Sequence, residues 1–387
     1  MMEFYGYKRP DGQVGTRNYV GIIPSVFCAE RVAEQISALV PGAVLLRHPL
    51  GCSQVGEDLE ITGRTLIAMG RHPNLAAVLV VGLGCERFTP DELAAGIAVS
   101  GKRVEKVVIQ EEGDSLAAVE RGARLAKEMV AQCARMERTA AGISKLVVAV
   151  KCGGTDATSG IAANPAVGSM SDMLIDRGGS VIFSEVTELL GAEHLLAERA
   201  VDEKARRDIL DTVGRTEQRL RAAGSDPRFA NRSALIFTGN FDGGVSTVAE
   251  KALGNIYKSG SRPIRGVLPY AVPAKEAGLY LMDSPGHDGE VVTGMVGGGA
   301  QVVVFTSGRG TPTGFPFVPV IKVTGNSRTF EKMRENIDLD ASPIIDQGVP
   351  IDAIGEEIFQ SVLETASGTM TKAELLGHGE LFCITRK

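Results

Sequence analysis

The run Ala76-Ala77-Val78-Leu79-Val80-Val81 restricts the fold of this chain more than any other segment. Six apolar residues without a polar break read as a strand buried on both faces, the kind found in parallel sheets covered by helices on either side. The flanking pattern agrees. Val20 to Pro24 reads as a strand, followed by an amphipathic helix from Cys28 to Leu39. Ala43 to Leu46 is the next strand, followed by a helix from about Gly56 to Met69. A further helix opens at Pro90, with Thr89 placed to cap it. Val104 to Gln110 is a fourth strand, and a long helix is expected from Asp114 to about Arg138. This rhythm predicts an α/β fold with largely parallel, doubly wound sheets.

A second unit begins near Gly142, giving two α/β domains, 1–141 and 142–387. Strands are expected at Lys145–Val150, Ser180–Ser184, Leu235–Thr238, Gly266–Leu268, Val302–Thr306 and Val320–Val323. Helices are expected at Pro165–Asp176, from Glu188 to about Ala223, and at Ser246–Lys258, Ser327–Asn336 and Ile351–Ala366. Gly224-Ser225-Asp226-Pro227 reads as a break.

Composition excludes several functions. The net charge is −6 and no basic cluster is present, which argues against a nucleic-acid partner. The longest charge-free run, Val291 to Gly308, holds five glycines and reads as core and turn, so no membrane association is expected. The N-terminus has neither a basic nor an apolar segment of signal-peptide type. A cytoplasmic protein with its six cysteines reduced is expected.

Ligands of open parallel sheets bind at the carboxyl ends of the strands, in a cleft between elements. Those positions here carry Cys28, then His48 to Cys52, then Cys85-Glu86, then Cys152 to Asp156. Four of the six cysteines therefore fall at strand ends, three of them beside glycine. Small buried thiols also pack strand ends, but the coincidence favours a shared site. Three chemistries use such thiols: a soft metal site for iron or zinc, an iron–sulfur cluster, or a nucleophilic thiol at Cys52 or Cys85 with His48 as base. No Cys-x-x-Cys occurs, which disfavours a zinc ribbon.

Gly96 to Arg103 nearly spells a phosphate loop but precedes a strand instead of following one. Ser307 to Gly314 is more informative. A strand runs into a loop whose backbone amides suit an anion, with Arg309 and Thr311 at hand for a carboxylate. Glu185 ends a strand, and Glu188 and Glu193 open a helix. Asn240 and Lys251 stand on either side of a loop–helix junction and are candidates for substrate contact and general base.

These strings resemble the altronate/galactarate dehydratase family. The matching segments are Gly6 to Gly12 with Val14 to Asn18, His48 to Gln54, and His72-Pro73-Asn74 leading to Gly82 to Glu86. Further on come Cys152 to Asp156, Ser159-Gly160, Asn164-Pro165, Ser184 to Glu188 and Gly191 to Glu193. Gly239-Asn240, Gly243-Gly244, Glu250 to Gly254 and Gly308 to Pro312 complete the set. The resemblance covers essentially the whole chain in order. Single-chain members begin with a small extra domain of SAF type, which this chain lacks, so it looks like the large subunit of a two-subunit member with a separate SAF-domain partner. The family includes altronate dehydratases and the beta chain of sulfolactate sulfo-lyase.

The resemblance implies a lyase acting on a small anionic hydroxy acid by metal-assisted β-elimination. Dehydration of a sugar acid such as altronate to a 2-keto-3-deoxy acid comes first; release of sulfite from sulfolactate, leaving pyruvate, is the alternative. A regulatory subunit that binds a sugar acid without turnover is a third reading. The family implies an Fe²⁺-like metal; the strand-end thiols leave open whether the iron is Fe²⁺ or an iron–sulfur cluster, with another divalent metal as the variant. The strand-end argument names Cys28, Cys52, Cys85, Cys152 and Glu86 as its ligands. The expected catalytic residues are His48, Lys251 and Glu185, and Arg309, Thr311, Asn240, Asp156 and Thr155 are expected to bind substrate. A hard cation on Glu185, Glu188 and Asp156 is the competing site. An oligomer is expected.

Overall fold

The computed structural model describes residues 3–225, 235–236 and 238–386. Two parallel sheets dominate it. The first has four strands in the order Ala43–Leu45, Tyr19–Pro24, Leu75–Gly82, Arg103–Val108. Every neighbouring pair in it is parallel. One face buries Val20, Ile22, Leu79 and Val81 beneath the helices Glu30–Leu39 and Ser115–Cys133. Those helices approach closely at Gly122, where a Cβ would lie 2.4 Å from Ile36 Cδ1. The other face packs on the helices Gly56–Arg71 and Pro90–Ala98. The second of these starts with the capping box Thr89/Glu92, as the sequence indicates.

The second sheet has seven strands, all parallel. Its order is Ile264–Leu268, Leu279–Met282, Ser180–Phe183, Val147–Cys152, Val302–Thr306, Val320–Thr324, Leu339–Asp340. The first strand of this unit, Val147–Cys152, lies near the middle. The chain leaves it on one side towards 180–183 and returns on the other at 302–306. That reversal opens a crevice at the carboxyl ends of these three strands. The faces of the sheet alternate, so Val148, Val150 and Phe183 bury against the helices Asn164–Asp176 and Ile351–Ala366. Ala149, Ile182, Val303 and Phe305 face the opposite way and share one apolar layer with Ile23, Val78 and Val80 of the first sheet. The two units therefore have a common core.

A small antiparallel sheet sews them together, with Glu3–Lys8 between Val14–Gly15 and Thr139–Gly142. Beside it, the Arg17 guanidinium forks the Glu374 carboxylate at 2.6 and 2.8 Å.

Three expectations differ from the structure. The helical stretch 188–223 is broken into a turn at Val186–Glu188 and helices Glu193–Glu198 and Glu203–Ala222. Gly191 is left-handed at φ 99°, and Asp202 is extended and caps the new helix. Leu235 and Ile236 are not in a strand, position 237 lies outside the described residues, and Thr238–Asp242 is helical. The helix from Asp114 ends at Cys133, because the chain must enter the strand at Thr139. The expected break at Gly224-Ser225 runs out of the described residues at 226. Among the described residues no helix is long and apolar enough to cross a membrane.

Candidate active site

The crevice of the second sheet holds a cluster of buried charges. Lys151 ends the central strand, and its ammonium bonds Glu185 and lies 2.8 Å from Asp288 Oδ1. Lys258 Nζ reaches the other Glu185 oxygen at 2.7 Å, and the Cys152 amide donates to that same oxygen at 3.3 Å. Lys251 Nζ donates to Glu188 Oε1 at 2.9 Å and to the Leu235 carbonyl at 3.1 Å. Three lysines and two glutamates are thus withdrawn from solvent at one point of the fold. Burying so many charges is unfavourable unless they compensate one another, so the cluster is a feature that hydrophobic packing alone would not produce.

The two glutamates differ. Burial alone would raise the Glu185 pKa, but Lys151 and Lys258 outweigh it and hold the carboxyl below its ordinary value. Burial and then the neighbouring Glu185 charge push Glu188 the other way, above its ordinary value, against the pull of Lys251. Burial would lower Lys151, but Glu185, Asp288 and Glu188 hold it well up, so it stays an ammonium. Glu188 Oε2 is buried and has no hydrogen-bond partner. Glu185 itself has left-handed backbone, φ 69° and ψ 54°, which costs a non-glycine residue roughly 1–3 kcal/mol and is typical of functional positions.

The loops around the cluster are fixed by further polar contacts. Asp156 Oδ1 accepts from Thr158 Oγ1 at 2.6 Å and from the Ser159 amide at 3.1 Å, and Asn326 Nδ2 donates to Oδ2 at 2.8 Å. Gly308 packs on that carboxylate so closely that a Cβ would fall 2.1 Å from Asp156 Oδ1. Asp156 thereby positions the loop that carries Arg309. Arg309 is exposed, and among the described residues its guanidinium makes no hydrogen bond or ion pair, which leaves its fork open to a ligand. Thr155 Oγ1 donates to the Gly153 carbonyl at 3.1 Å, and Asn240 Nδ2 to the Thr155 carbonyl at 2.9 Å. Thr311 and Thr313 hydroxyls are 3.0 Å apart on the same loop as Arg309.

Glu185, Lys251, Asp156, Thr155, Asn240 and Arg309 are therefore brought to one end of one sheet. Cys152 is there too, enclosed, with its sulfur 3.5 Å from both Thr155 Oγ1 and Asn164 Nδ2. Cys28, Cys52 and Cys85 are elsewhere. All three are exposed and line one pocket of about 210 Å³ at the carboxyl end of the first sheet. Glu86 lies beside them, but its carboxylate accepts from Ser25 Oγ at 2.5 Å and from the Leu83 and Gly84 amides at 3.0 and 2.6 Å. Those bonds outweigh burial and hold the carboxyl below its ordinary value.

His48 is buried. Its Nε2–H donates to the Pro24 carbonyl at 2.7 Å, and Nδ1 accepts from the Leu50 amide at 3.2 Å. Burial pushes its pKa down. His72 repeats the device, bonding the Ala300 carbonyl and the Asn74 amide, with its pKa driven down by burial to about 3. Each of these His-Pro pairs spends both ring nitrogens on backbone, so His48 holds its loop and has no lone pair left for a substrate proton.

Lys151, Lys258 and Asp288 were not singled out from the sequence. Lys151 had a signal: a lysine closing the run Leu146 to Val150, where an internal strand has no solvent to offer it. Lys258 and Asp288 had none, because each sits in an ordinary polar stretch.

Open α/β sheets with a polar crevice at the strand reversal are built to bind small polar ligands. This chain belongs to the galactarate/altronate dehydratase family. The model described as "D-galactarate dehydratase/Altronate hydrolase, second domain" matches residues 6–134, and "D-galactarate/Altronate dehydratase, C-terminal" matches 143–387. Over 99% of its length the chain is 37% identical to the (2R)-sulfolactate sulfo-lyase subunit beta of Chromohalobacter salexigens, covering 97% of that protein. It is 36% identical to the altronate dehydratase of Bacillus subtilis, covering 75% of it. With the galactarate dehydratase (L-threo-forming) of Escherichia coli it shares 35% identity, over 73% of that protein.

Proposed function

We propose that this chain is the large subunit of a lyase that performs β-elimination on a small anionic hydroxy acid, dehydrating a sugar acid such as altronate to a 2-keto-3-deoxy acid. The observation that carries the reading is the unpartnered, buried oxygen of Glu188 beside the lysine–glutamate cluster. A proton next to a carboxylate is weakly acidic, so its removal needs a strong, positioned base and cations that stabilise the charge that develops. Glu188, with its raised pKa, is a stronger base than an ordinary carboxylate, and it takes that proton on Oε2. Lys251, bonded to Oε1, orients it. Lys151 and Lys258 keep Glu185 ionised and fixed. Arg309 grips the carboxylate or sulfonate of the substrate, with Thr311, Thr155 and Asn240 shaping the loops around it.

A metal bound here would supply Lewis acidity for the developing charge. The acids of the second sheet fit it poorly. Both Glu185 oxygens are taken by lysines and both Asp156 oxygens by Thr158, Ser159 and Asn326, so a hard cation on Glu185, Glu188 and Asp156 would find one open oxygen. Among the described residues no three His, Cys, Asp or Glu side chains are disposed to hold a metal ion, the thiols of the first sheet included.

The 37% identity to a (2R)-sulfolactate sulfo-lyase subunit beta over 99% of the chain favours a second reading, elimination of sulfite from sulfolactate. The name of that relative, subunit beta, supports a separate partner subunit, and a SAF-domain protein is the partner proposed here. The test is to assay the chain, with and without such a partner, on altronate, galactarate and sulfolactate, following 2-keto-3-deoxy acid, sulfite and pyruvate. Release of any of these establishes the lyase and its substrate. Substrate binding without any product would establish the non-catalytic reading instead.

A further inference from the structure

A pocket of about 860 Å³ lies between the two units, away from the strand-end crevice. One face of the helix Gly56–Arg71 lines it, together with the end of the helix Pro90–Ala98 and the loop 271–273 that follows the strand Ile264–Leu268. Leu59, Ile67, Phe88, Val272 and Pro273 make the lining largely apolar. Val99 also belongs to it and is 75% exposed, an unusual place for a large aliphatic side chain unless something covers it. Cavities of about 300–1,000 Å³ with apolar walls and a few placed polar groups are the ordinary form of a small-molecule site. A polyhydroxy acid has no apolar face to match these walls, so the ligand differs from the proposed substrate.

Two arginines of that helix line the pocket, two turns and so about 10 Å apart along its axis. Arg64 Nε donates to the Tyr270 carbonyl at 3.1 Å, and Arg71 Nε to the Gly96 carbonyl at 2.7 Å. Among the described residues the two terminal nitrogens of each guanidinium make no hydrogen bond or ion pair. A fork fixed at its base and open at its tip is the arrangement that takes a carboxylate bidentately. Ala271, also in the lining, is left-handed at φ 57°, a conformation that a residue with a Cβ keeps only where its surroundings hold it and that clusters at ligand sites. The acids of the lining are Asp11 and Glu60. Asp11 accepts from the Gln13 amide at 3.0 Å and from Gln13 Nε2 at 2.8 Å, so both its oxygens are engaged. Glu60 is exposed and stands one turn from Arg64 on the same helix. His72 bonds backbone through both ring nitrogens, and burial holds it neutral. Arg71 is therefore the cation that the lining leaves least compensated.

We infer that this pocket binds an amphipathic carboxylate, a small molecule with an apolar body, whose carboxylate sits on the Arg71 fork and whose body lies against Ile67 and Phe88. Packing does not account for the arrangement. Leu66 and Met69 of the same helix already join the two units through the common core, so the units close without this space being needed. Stability alone gives no reason for two half-buried forks to stay open. The site is separate from the crevice, since none of Lys151, Glu185, Glu188, Lys251 and Arg309 lines it. One helix spans the two places. Asp288, at its start, pairs with Lys151, and Gly297, at its end, lines the pocket, where a Cβ would lie 2.6 Å from that of Ala271.

Octanoate, octanol and acetate test the two halves of the site by isothermal titration calorimetry on the full chain. No substrate is present, so the outcome does not depend on the lyase reading. Octanoate should bind once per chain and at least about tenfold tighter than octanol, the size of effect expected of a charge-assisted bond. Acetate, which lacks the apolar body, should bind far more weakly than octanoate. Arg71→Met should abolish the preference for octanoate and leave octanol binding as it was, a pattern that a damaged fold does not produce. Val99→Lys and Val99→Glu keep the test open should Arg71→Met not fold, because that position is exposed. The lysine should tighten octanoate binding and the glutamate weaken it, with octanol alike in both. Octanoate bound no tighter than octanol or acetate overturns the inference. So does an undiminished preference in Arg71→Met, or equal octanoate affinity in the two Val99 variants. A chain that binds octanoate in this way without lyase activity leaves the inference standing and counts against the proposed function alone.

Discussion

Glu188→Gln separates a catalytic carboxylate from a structural one by the sign of its effect on stability. Glutamine keeps the volume and the bond from Lys251 but cannot accept a proton. Loss of a general base lowers rates by about 10²–10⁴-fold, and the fall should appear in kcat with KM little changed. Stability should move the other way. The pKa of Glu188 is raised above 4.5 by burial first and by Glu185 second, so the folded chain binds this proton more tightly than the unfolded chain. Stability linked to such a group is fully present below the unfolded pKa and is lost as pH rises through the folded one. Each unit by which the pKa is raised corresponds to about 1.4 kcal/mol. Glutamine has no charge to desolvate, so the variant should gain on the wild type as pH rises above the ordinary carboxylate range. Urea unfolding at several pH values, alongside steady-state kinetics, measures both. A variant that keeps more than about a tenth of the activity refutes the catalytic role, given the size expected of a general base. One that is less stable than wild type at the upper pH refutes the electrostatic account.

The other expectations are more compact. Lys258→Met leaves one side of the buried Glu185 carboxylate uncompensated and should cost about 3–5 kcal/mol in a urea titration; a loss under about 1 kcal/mol would mean the cluster reorganises freely. Arg309→Lys keeps the charge but loses the fork, and kcat/KM should fall by about 1.5–3 kcal/mol in transition-state binding, roughly 10- to 150-fold; unchanged kinetics would remove Arg309 from the site. Gly308→Ala drives a methyl into the Asp156 carboxylate, with a cost of about 1–3 kcal/mol, and should raise KM by displacing the Arg309 loop. If KM stays the same, that loop does not hold the substrate.

The fold was legible in the sequence where patterns are local. The apolar run at 76–81, the Thr89 cap and the strand–loop–helix order all mark a parallel sheet. The strand Leu279–Met282, which lies between Ile264–Leu268 and Ser180–Phe183, was missed because four apolar residues between Gly278 and Asp283 are too short to show a period. The antiparallel seam was missed because one partner of Glu3–Lys8, Val14–Gly15, is too short to show a pattern and the other, Thr139–Gly142, is far away in sequence. At the site, residues beside glycine at strand ends were found, since close approach of backbone requires glycine there. Lys151, Lys258 and Asp288 were not, because their roles exist only once three separate segments fold around Glu185. His48 looked reactive for its position, yet only coordinates show that both nitrogens are occupied. Cys152 shares the strand-end pattern of the other three thiols but belongs to the other sheet, a distinction that spacing along the chain does not carry.

The seam at the start of the chain also sets an order on assembly during synthesis. Gly6 pairs with Thr139, so the first strand leaves the ribosome 139 − 6 = 133 residues before its partner. At about 5–20 residues per second that is a wait of roughly 7 to 27 seconds. The four-stranded sheet and its helices lie wholly within that interval and have time to form first. The nascent N-terminal strand meanwhile presents unpaired amides and carbonyls, and anything that binds extended backbone, a chaperone or a neighbouring nascent chain, competes for it until residue 139 emerges.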